Sequence, residues 1–354
     1  MLDEIELTDF KSHHSTCVNL NKLSLLVGTN SGGKSSVIQG LLLIIHNITN
    51  KTASPLNGHL VSVGTFNEAG NYILNKKSFS LEVTQEKESI KLSFVAPDEG
   101  ETEPKYNYVS DSEALQSFLN YQNNRIHYLS ANRLGGQDLY TKNFDKYDIF
   151  GLNGEYAIDY FELHKDDPLE EELQAYLESV TLDAQVNYWL EKIFGQRIVT
   201  TSIPGTDKVK AEYRLQIGRN IRPKNTGSGI SYIISLLIVC LASKKGDVII
   251  VENPEIHLHP KAQSYLVDFF IFIANSGRQL IIETHSDHLF NGVKVAISQS
   301  KIPVADVAVH FFRLGKDFVT EHVAIKINDE GHILNSVPDL FDQFTNDLKT
   351  LVGF

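Results

Sequence analysis

The 354-residue sequence is poor in cysteine and has no apolar run long enough to cross a bilayer. Its two cysteines, Cys17 and Cys240, provide neither a disulfide framework nor metal-ligand spacing, which is typical of a reducing compartment. The longest apolar run, Tyr232 to Ala242, is shorter than the ~20 residues that a membrane span needs. The opening residues M-L-D-E-I-E-L lack the basic and apolar pattern of a secretion signal. We therefore expect a cytoplasmic location and no membrane partner.

Basic residues are also scarce, since 32 Lys and Arg face 44 Asp and Glu, for a net charge of −12. This balance weighs against extended, unaided nucleic-acid binding, which needs clustered cations to neutralise phosphates. Contact with DNA or RNA remains open through a partner or a local basic groove, for which Arg219, Arg222 and Lys224 form the clearest patch. A hydrophobic content of 42% suffices for a sizeable core, in two domains or in one large α/β domain with insertions.

Residues 28–35 read G-T-N-S-G-G-K-S, a complete phosphate-binding loop (P-loop) between an apolar, strand-like run and a helix-like run. Its glycines let the backbone curl around a phosphate, and the following helix N-terminus adds positive potential. Lys34 is expected to reach the β- and γ-phosphates, and the Ser35 hydroxyl to ligate Mg²⁺. The sequence thus predicts a nucleoside triphosphate site with these residues: Gly28, Asn30, Ser31, Gly32, Gly33, Lys34, Ser35 and Ser36.

A second motif, D-V-I-I-V-E, is an apolar strand that ends in the carboxylate of Glu252. This is the form of a Walker B element, whose carboxylate holds the Mg²⁺ of the triphosphate directly or through water. The next residues form a tight turn into a helix that we expect to begin at Pro260, a favoured first position.

Two further patterns each allow two interpretations. His285 follows another apolar strand and either hydrogen-bonds the γ-phosphate of a neighbouring nucleotide or is an ordinary N-cap-region residue of a helix that starts at Ser286 or Asp287. The run N-T-G-S-G-I-S (225–231) opens an apolar helix, so Ser228 and Gly229 either donate N–H groups to the nucleotide of a partner subunit or simply begin a helix.

The order of these motifs resembles the ATP-binding-cassette (ABC-type) heads of RecF, the chromosome-maintenance (SMC) proteins and the overcoming-lysogenisation-defect (OLD) ATPases. The opening D-F-K-S-H, the E-N-P-E-I-H-L-H-P after the strand and the later T-H-S carry this resemblance. Other stretches resemble a bacterial AAA-family ATPase with a C-terminal domain of unknown function, found beside nucleases in Septu-like or retron-associated antiphage operons. They are V-S-V-G-T-F, Y-L-S-A-N-R, G-L-N-G-E-Y, T-G-S-G-I-S and V-P-D-L-F-D-Q-F.

The resemblance implies a homodimer, or a higher oligomer built from it, with two ATP molecules sandwiched between heads. Each site would combine the P-loop and Glu252 of one subunit with Ser228 and Gly229 of the other. His285 would be the switch histidine, residues 257–260 the dimer-crossing loop, and Arg133 would lie near the nucleotide or the lobe junction.

Two departures from the pattern affect the expected chemistry. Asn253 stands where related heads have a glutamate that polarises the attacking water, and an amide cannot act as a base. Glu255 is the candidate substitute; otherwise hydrolysis is slow and ATP acts mainly as a clamp. In addition, only a short helical insertion, Asp166 to Phe194, stands in place of a coiled-coil arm.

We expect one α/β head of the ABC type, with a mixed or antiparallel β lobe and a parallel P-loop core. Its parts would be 1–150 (P-loop and β-rich lobe), 151–215 (helical insertion), 216–315 (signature, Walker B and switch histidine) and 316–354 (strand and helix). Strands are expected at 5–10, 17–20, 23–27, 79–84, 90–95, 125–130, 208–217, 247–252, 278–283, 307–314 and 319–327, with a last helix from Asp339 to Leu351.

The leading functional hypothesis is an ATPase that controls a separate effector, such as a nuclease, in antiphage defence. Fewer than 70 residues follow His285, too few for a fused nuclease domain, so we expect the effector to be another chain. One alternative is a RecF- or SMC-like DNA-binding ATPase. The other is an ABC transporter subunit, which the T-G-S-G-I-S in place of L-S-G-G-Q disfavours.

Overall fold

The structure is a computed structural model that describes residues 1–50, 54–144, 147–335, 337–341 and 343–351. Asp342, within the V-P-D-L-F-D-Q-F stretch, and the last three residues of the predicted 316–354 segment lie outside the described residues. The chain divides into two compact units. We call Leu2–Glu113 with the residues from Glu283 onward the P-loop unit, and Ala114–Ile282 the Walker B unit.

The elements of the described residues are numbered along the chain. The strands are β1 (Glu4–Thr8), β2 (Ser15–Asn19), β3 (Leu23–Gly28), β4 (Ser78–Gln85), β5 (Glu88–Val95), β6 (Lys105–Ser110), β7 (Ile126–Leu129), β8 (Leu139–Thr141), β9 (Gln196–Ser202), β10 (Lys208–Leu215), β11 (Asn220–Ile221), β12 (Val248–Glu252), β13 (Gln279–Glu283), β14 (Val307–Leu314) and β15 (Thr320–Ala324). The helices are α1 (Lys34–Thr49), α2 (Phe66–Ala69), α3 (Glu113–Leu119), α4 (Ala157–His164), α5 (Leu182–Phe194), α6 (Ser228–Ala242), α7 (Pro260–Asn275), α8 (Asp287–Ser298) and α9 (Gln343–Leu351).

The P-loop unit contains an antiparallel sheet of five strands in the order β2-β1-β4-β5-β6. Apolar and polar residues alternate along β4 and β5, so one face of this sheet is buried. Helix α1 packs on that face, where Gly40 allows close approach to the side chains of Leu7 and Leu81. In the same unit, β3 pairs in parallel with β14, and β15 pairs antiparallel with β14. This pairing fixes the strand from which the P-loop starts.

In the Walker B unit, β12 lies between β13 and β7 and pairs in parallel with β7. A second, antiparallel sheet follows the order β11-β10-β8, and β9 also pairs with β10. Helix α5 packs against α6, α7 and β9, and Trp189 meets Phe269 edge-on at a centroid distance of 5.1 Å. The buried helix α6 and strand β12 therefore position the signature and Walker B residues on one core.

The expected fold class is confirmed, while two expected helices have different bounds. The helix expected from Asp166 is wrong before Leu182, because Pro168 and Thr181 pair there as an extended bridge and Glu171–Leu173 form only a short 3-10 turn. Thr181 then caps α5 by accepting a hydrogen bond from Ala184 N. The last helix begins at Gln343 rather than Asp339, whose φ of 69° is not helical.

No helix within the described ranges has the length and apolar character that crossing a membrane requires.

Candidate functional site

At two positions the P-loop leaves room only for glycine. Gly28, with φ 140°, ends β3, and a Cβ there would lie 1.9 Å from the carbonyl oxygen of Phe312 on β14. At Gly32 the same oxygen would lie 2.6 Å from a Cβ. Thr29 N donates to this oxygen at 3.1 Å, which holds the start of the loop against the strand. The glycines of the motif therefore serve a steric need within this unit.

Behind the loop, the buried ring of His13 supports Gly33, the residue that precedes α1. Nε2 of His13 lies 3.0 Å from the Gly33 carbonyl oxygen, and Nδ1 lies 2.9 Å from the Thr16 hydroxyl. Because a carbonyl only accepts, Nε2 carries the proton and Nδ1 accepts from the hydroxyl. Burial lowers the pKa of His13 to about 4, so the ring is neutral at physiological pH. The side chain of His13 is fully buried.

Lys34 and Ser35 are the first two residues of α1, and they contribute an ammonium group and a hydroxyl group. Lys34 is buried, and its ammonium donates to the carbonyl oxygens of Gly28 and Thr29 at 3.1 and 2.8 Å. The Ser35 hydroxyl donates to Oε1 of Glu283 at 2.6 Å. Among the residues that the structure describes, no side chain caps α1, and its first turn holds no acidic residue. The positive helix N-terminus therefore remains directed at the loop.

These groups line an open pocket of about 330 Å³ within the P-loop unit. Its further lining includes Lys11, Asn30, Ser31, Ser36 and His285. Partial desolvation, and then the charge of Lys34, lower the pKa of His285, so its imidazole is neutral near pH 7 and keeps one N–H donor. The structure thus brings the predicted P-loop residues and His285 together around one concave, cationic surface.

In the Walker B unit, Glu252 stands at the end of β12 as expected, and both of its carboxylate oxygens accept hydrogen bonds. Tyr128 OH donates to Oε1 at 3.0 Å, and Ala131 N donates to Oε2 at 3.1 Å. Both donors follow from the parallel pairing of β7 with β12, which places the ends of the two strands side by side. These bonds fix the orientation of the Glu252 side chain.

Arg133 holds the backbone of the turn that follows Glu252. Its guanidinium donates to the carbonyl oxygens of Glu252 at 2.6 Å, Asn253 at 2.7 Å and Ser130 at 3.0 Å. Burial lowers the pKa of Arg133 to about 10, while the nearby charges of Glu255 and Glu252 oppose that shift, so the group stays cationic at neutral pH. These contacts support a positioning role for Arg133 in the Walker B turn.

The turn itself contains left-handed backbone at Asn253 (φ 44°) and His257 (φ 61°). Asparagine tolerates this conformation better than most residues, which gives Asn253 a local conformational use. The partly exposed Glu255 lies on the same turn, and its carbonyl oxygen accepts from Leu258 N at 3.0 Å. The turn ends at His259, and α7 begins at Pro260 as expected.

The signature run meets this turn at the start of α6. A Cβ on Gly229 would lie 2.6 Å from the carbonyl oxygen of His257, so only glycine lets the helix approach so closely. Ser228, by contrast, is exposed, and Gly227 has open space around it. Both of these residues line a second open pocket of about 680 Å³ within the Walker B unit.

Comparison with known proteins agrees with this architecture. Residues 162–290 match a family model described as an AAA ATPase domain, and residues 302–351 match one described as a protein of unknown function, DUF3696. An Smc head domain with an extended coiled coil, bound to the C-terminal domain of ScpA from Pyrococcus furiosus, is 12% identical and superposes with a TM-score of 0.54, over 99% of each chain. The fold is that of an SMC-like, ABC-type ATPase head.

Two other heads give similar superpositions. An Smc head domain with a coiled coil and joint from Pyrococcus yayanosii is 11% identical, with a TM-score of 0.55 over 92% of this chain and 97% of that one. An SmcHead bound to the C-winged helix domain of ScpA is 15% identical, with a TM-score of 0.55 over 92% and 98%. A search of curated proteins finds no match to the chain.

Sequence reasoning did not find two residues that the head places at the P-loop. His13 carried a weak signal, since it belongs to the D-F-K-S-H motif that precedes the loop. Glu283 carried one too, as the polar end of an apolar strand beside Thr284 and His285. The signal that could have identified Glu283 is a charged residue at the end of a buried strand, close to a histidine that is a candidate for phosphate binding.

Proposed function

We propose that this chain binds ATP with Mg²⁺ through its P-loop and hydrolyses it. The observation that carries the proposal is the loop that is sterically fixed at Gly28 and Gly32, with the Lys34 ammonium bound to the carbonyl oxygens of Gly28 and Thr29. The Ser35 hydroxyl would ligate Mg²⁺, and the Glu283 carboxylate accepts a hydrogen bond from that hydroxyl. When bound, Mg²⁺ would neutralise charge on the β- and γ-phosphates.

The roles proposed for the Walker B turn remain to be tested by substitution. Glu252 would contribute a carboxylate to the metal, while Asn253 cannot take a proton from water. Glu255 is the remaining carboxylate on this turn and is proposed to polarise the attacking water, with His285 as the γ-phosphate partner. If Glu255 has this role, Glu255→Gln binds nucleotide as well as the wild type does and loses turnover.

We further propose that ATP closes two copies of the head into a dimer. The start of α6 supports this, because Gly227 and Ser228 are exposed and the first N–H groups of a helix have no acceptor within that helix. Ser228→Arg is expected to leave the binding of a fluorescent ATP analogue unchanged and to prevent the ATP-induced dimer in analytical ultracentrifugation. A monomer in the wild-type protein with saturating ATP and Mg²⁺ would contradict the dimer.

Control of a separate effector, in antiphage defence, is the biological role that we propose for this ATP cycle. The short insertion exposes Leu163 and Leu177, whose exposed fractions are 69% and 90%, and such apolar side chains suit a protein partner. Two of the similar heads were solved with a bound partner domain, which supports a head as a docking platform. Co-purification of the product of a neighbouring gene, lost in Leu177→Asp, would support this role; retention in that variant would contradict the proposed surface.

A RecF- or SMC-like role on DNA is the second candidate, because one face of β10 carries three basic residues, Lys208, Lys210 and Arg214. Arg197 lies opposite Arg214 in the β9–β10 register, while Glu212 on the same face pairs with Lys210. Each phosphate contact contributes about 0.9 to the slope of log affinity against log salt. Duplex binding whose slope falls by about one unit in Arg214→Gln would support this role.

A further inference from the structure

A carboxylate from outside the known motifs contacts the P-loop hydroxyl. Glu283 is the last residue of β13, and its side chain is buried. Its Oε1 accepts a hydrogen bond from the Ser35 hydroxyl, with an oxygen–oxygen distance of 2.6 Å. Ser35 itself is exposed and lines the same pocket as Lys34 and Glu283. Thr284 N donates to the Leu26 carbonyl oxygen on β3 at 3.0 Å, which ties the position after Glu283 to the strand that carries the loop.

We propose that Glu283 is a metal-positioning residue that sets the Mg²⁺ affinity of the nucleotide site. This inference rests on the proposed function, since it concerns the metal that accompanies ATP. Because Glu283 accepts the hydrogen bond of the Ser35 hydroxyl, the lone pairs of that hydroxyl oxygen are directed away from Glu283 and toward the pocket. Its negative charge also favours a cation there, at the short distance that the hydrogen bond sets.

Glu252 and Glu283 each end a strand, but their carboxylates make different contacts. Glu252 already accepts from Tyr128 OH and Ala131 N, which fix its side chain in the Walker B unit. Glu283 instead contacts the metal-ligand hydroxyl itself. A glutamate at this position would therefore provide Mg²⁺ affinity within the P-loop unit itself.

The test separates metal affinity from nucleotide affinity. Binding of N-methylanthraniloyl-ATP is measured in EDTA and then across a Mg²⁺ titration, for the wild type and Glu283→Gln. Glutamine keeps the size and an acceptor oxygen but removes the charge. We expect unchanged affinity in EDTA and a Mg²⁺ midpoint about 10- to 100-fold higher, the usual effect of losing an outer partner of a metal ligand. Glu99→Gln, at an exposed loop position, should behave as the wild type.

A double-mutant cycle tests whether Glu283 acts through Ser35. Ser35→Ala should raise the Mg²⁺ midpoint, and adding Glu283→Gln to it should raise the midpoint by much less than in the wild-type background, because the two groups act as one unit. A merely structural role for Glu283 would lower the affinity in EDTA as well, and its effect would add to that of Ser35→Ala.

The outcomes distinguish failure of this inference from failure of the proposed function. An unchanged Mg²⁺ midpoint in a folded Glu283→Gln protein would overturn the inference while ATP binding stands. Absence of saturable analogue binding in the wild type, or equal binding by Lys34→Ala, would overturn the proposed function itself. If Glu283→Gln does not fold, Glu283→Asp replaces it, and the shorter reach should raise the midpoint and leave the affinity in EDTA unchanged.

Discussion

His13 makes the stability of the P-loop unit depend on pH in a way that can be calculated. The ring is neutral and fully buried, and its pKa is lowered to about 4, against an ordinary value of 6.5 in the unfolded chain. Between these values the unfolded chain binds a proton that the folded chain rejects. Stability is therefore complete above about pH 6.5 and falls as the pH drops toward 4.

The size of the effect follows from the shift. At about 1.4 kcal/mol per pH unit, His13 alone should cost the fold about 2.5 kcal/mol between pH 7 and pH 4.5. His322, whose pKa burial also lowers to about 4, titrates in the same range and is coupled to His13. The contribution of His13 must therefore be isolated by substitution.

His13→Gln is the informative variant, because the glutamine amide can donate to the Gly33 carbonyl oxygen and cannot titrate. The free energy of unfolding is measured in urea at pH 7 and pH 4.5, by far-UV circular dichroism. The loss on acidification should be smaller in His13→Gln than in the wild type by about 2.5 kcal/mol. His13→Ala should already be weaker at pH 7, by about 2–4 kcal/mol, for the lost hydrogen bond and the cavity. Equal acid sensitivity of the wild type and His13→Gln would refute a neutral, buried His13.

Three further substitutions test the backbone of the site. Gly28→Ala should lower the thermal midpoint sharply and abolish nucleotide binding, while Gly100→Ala, also at positive φ but with nothing within 4 Å, should cost only about 1 kcal/mol. Arg133→Lys, which cannot span the three carbonyl oxygens, should lose about 2–4 kcal/mol of stability in urea titrations. Gly229→Ala should destabilise by more than 2 kcal/mol, because its Cβ meets a carbonyl oxygen at 2.6 Å, whereas Gly227→Ala should be tolerated. Equal thermal midpoints within either glycine pair would contradict the steric argument.

Much of the fold could be predicted from local pattern. The P-loop lies between a buried strand and a helix because apolar periodicity and glycine chemistry act over a few residues. The helix prediction for the Asp166 segment failed because its acidic and apolar spacing suits a helix, while Pro168 and Thr181 pair as an extended bridge that local spacing does not reveal.

The site was less predictable, because its contacts join distant parts of the chain. His13 supports a loop 20 residues away, and Glu283 contacts a serine 248 positions before it. Arg133 was expected near the nucleotide or the lobe junction, and the structure places its guanidinium on the Walker B carbonyl oxygens. Such pairings follow from strand order, which the spacing of one sequence does not determine.

The most direct test of the account is steady-state ATP hydrolysis by the purified chain beside Lys34→Ala. Removing the ammonium that donates to Gly28 and Thr29 inside the loop should leave the fold intact by circular dichroism and abolish Mg²⁺-dependent turnover. The account predicts measurable turnover in the wild type and none in the variant. Equal phosphate release by the two proteins would contradict a nucleotide site at the P-loop.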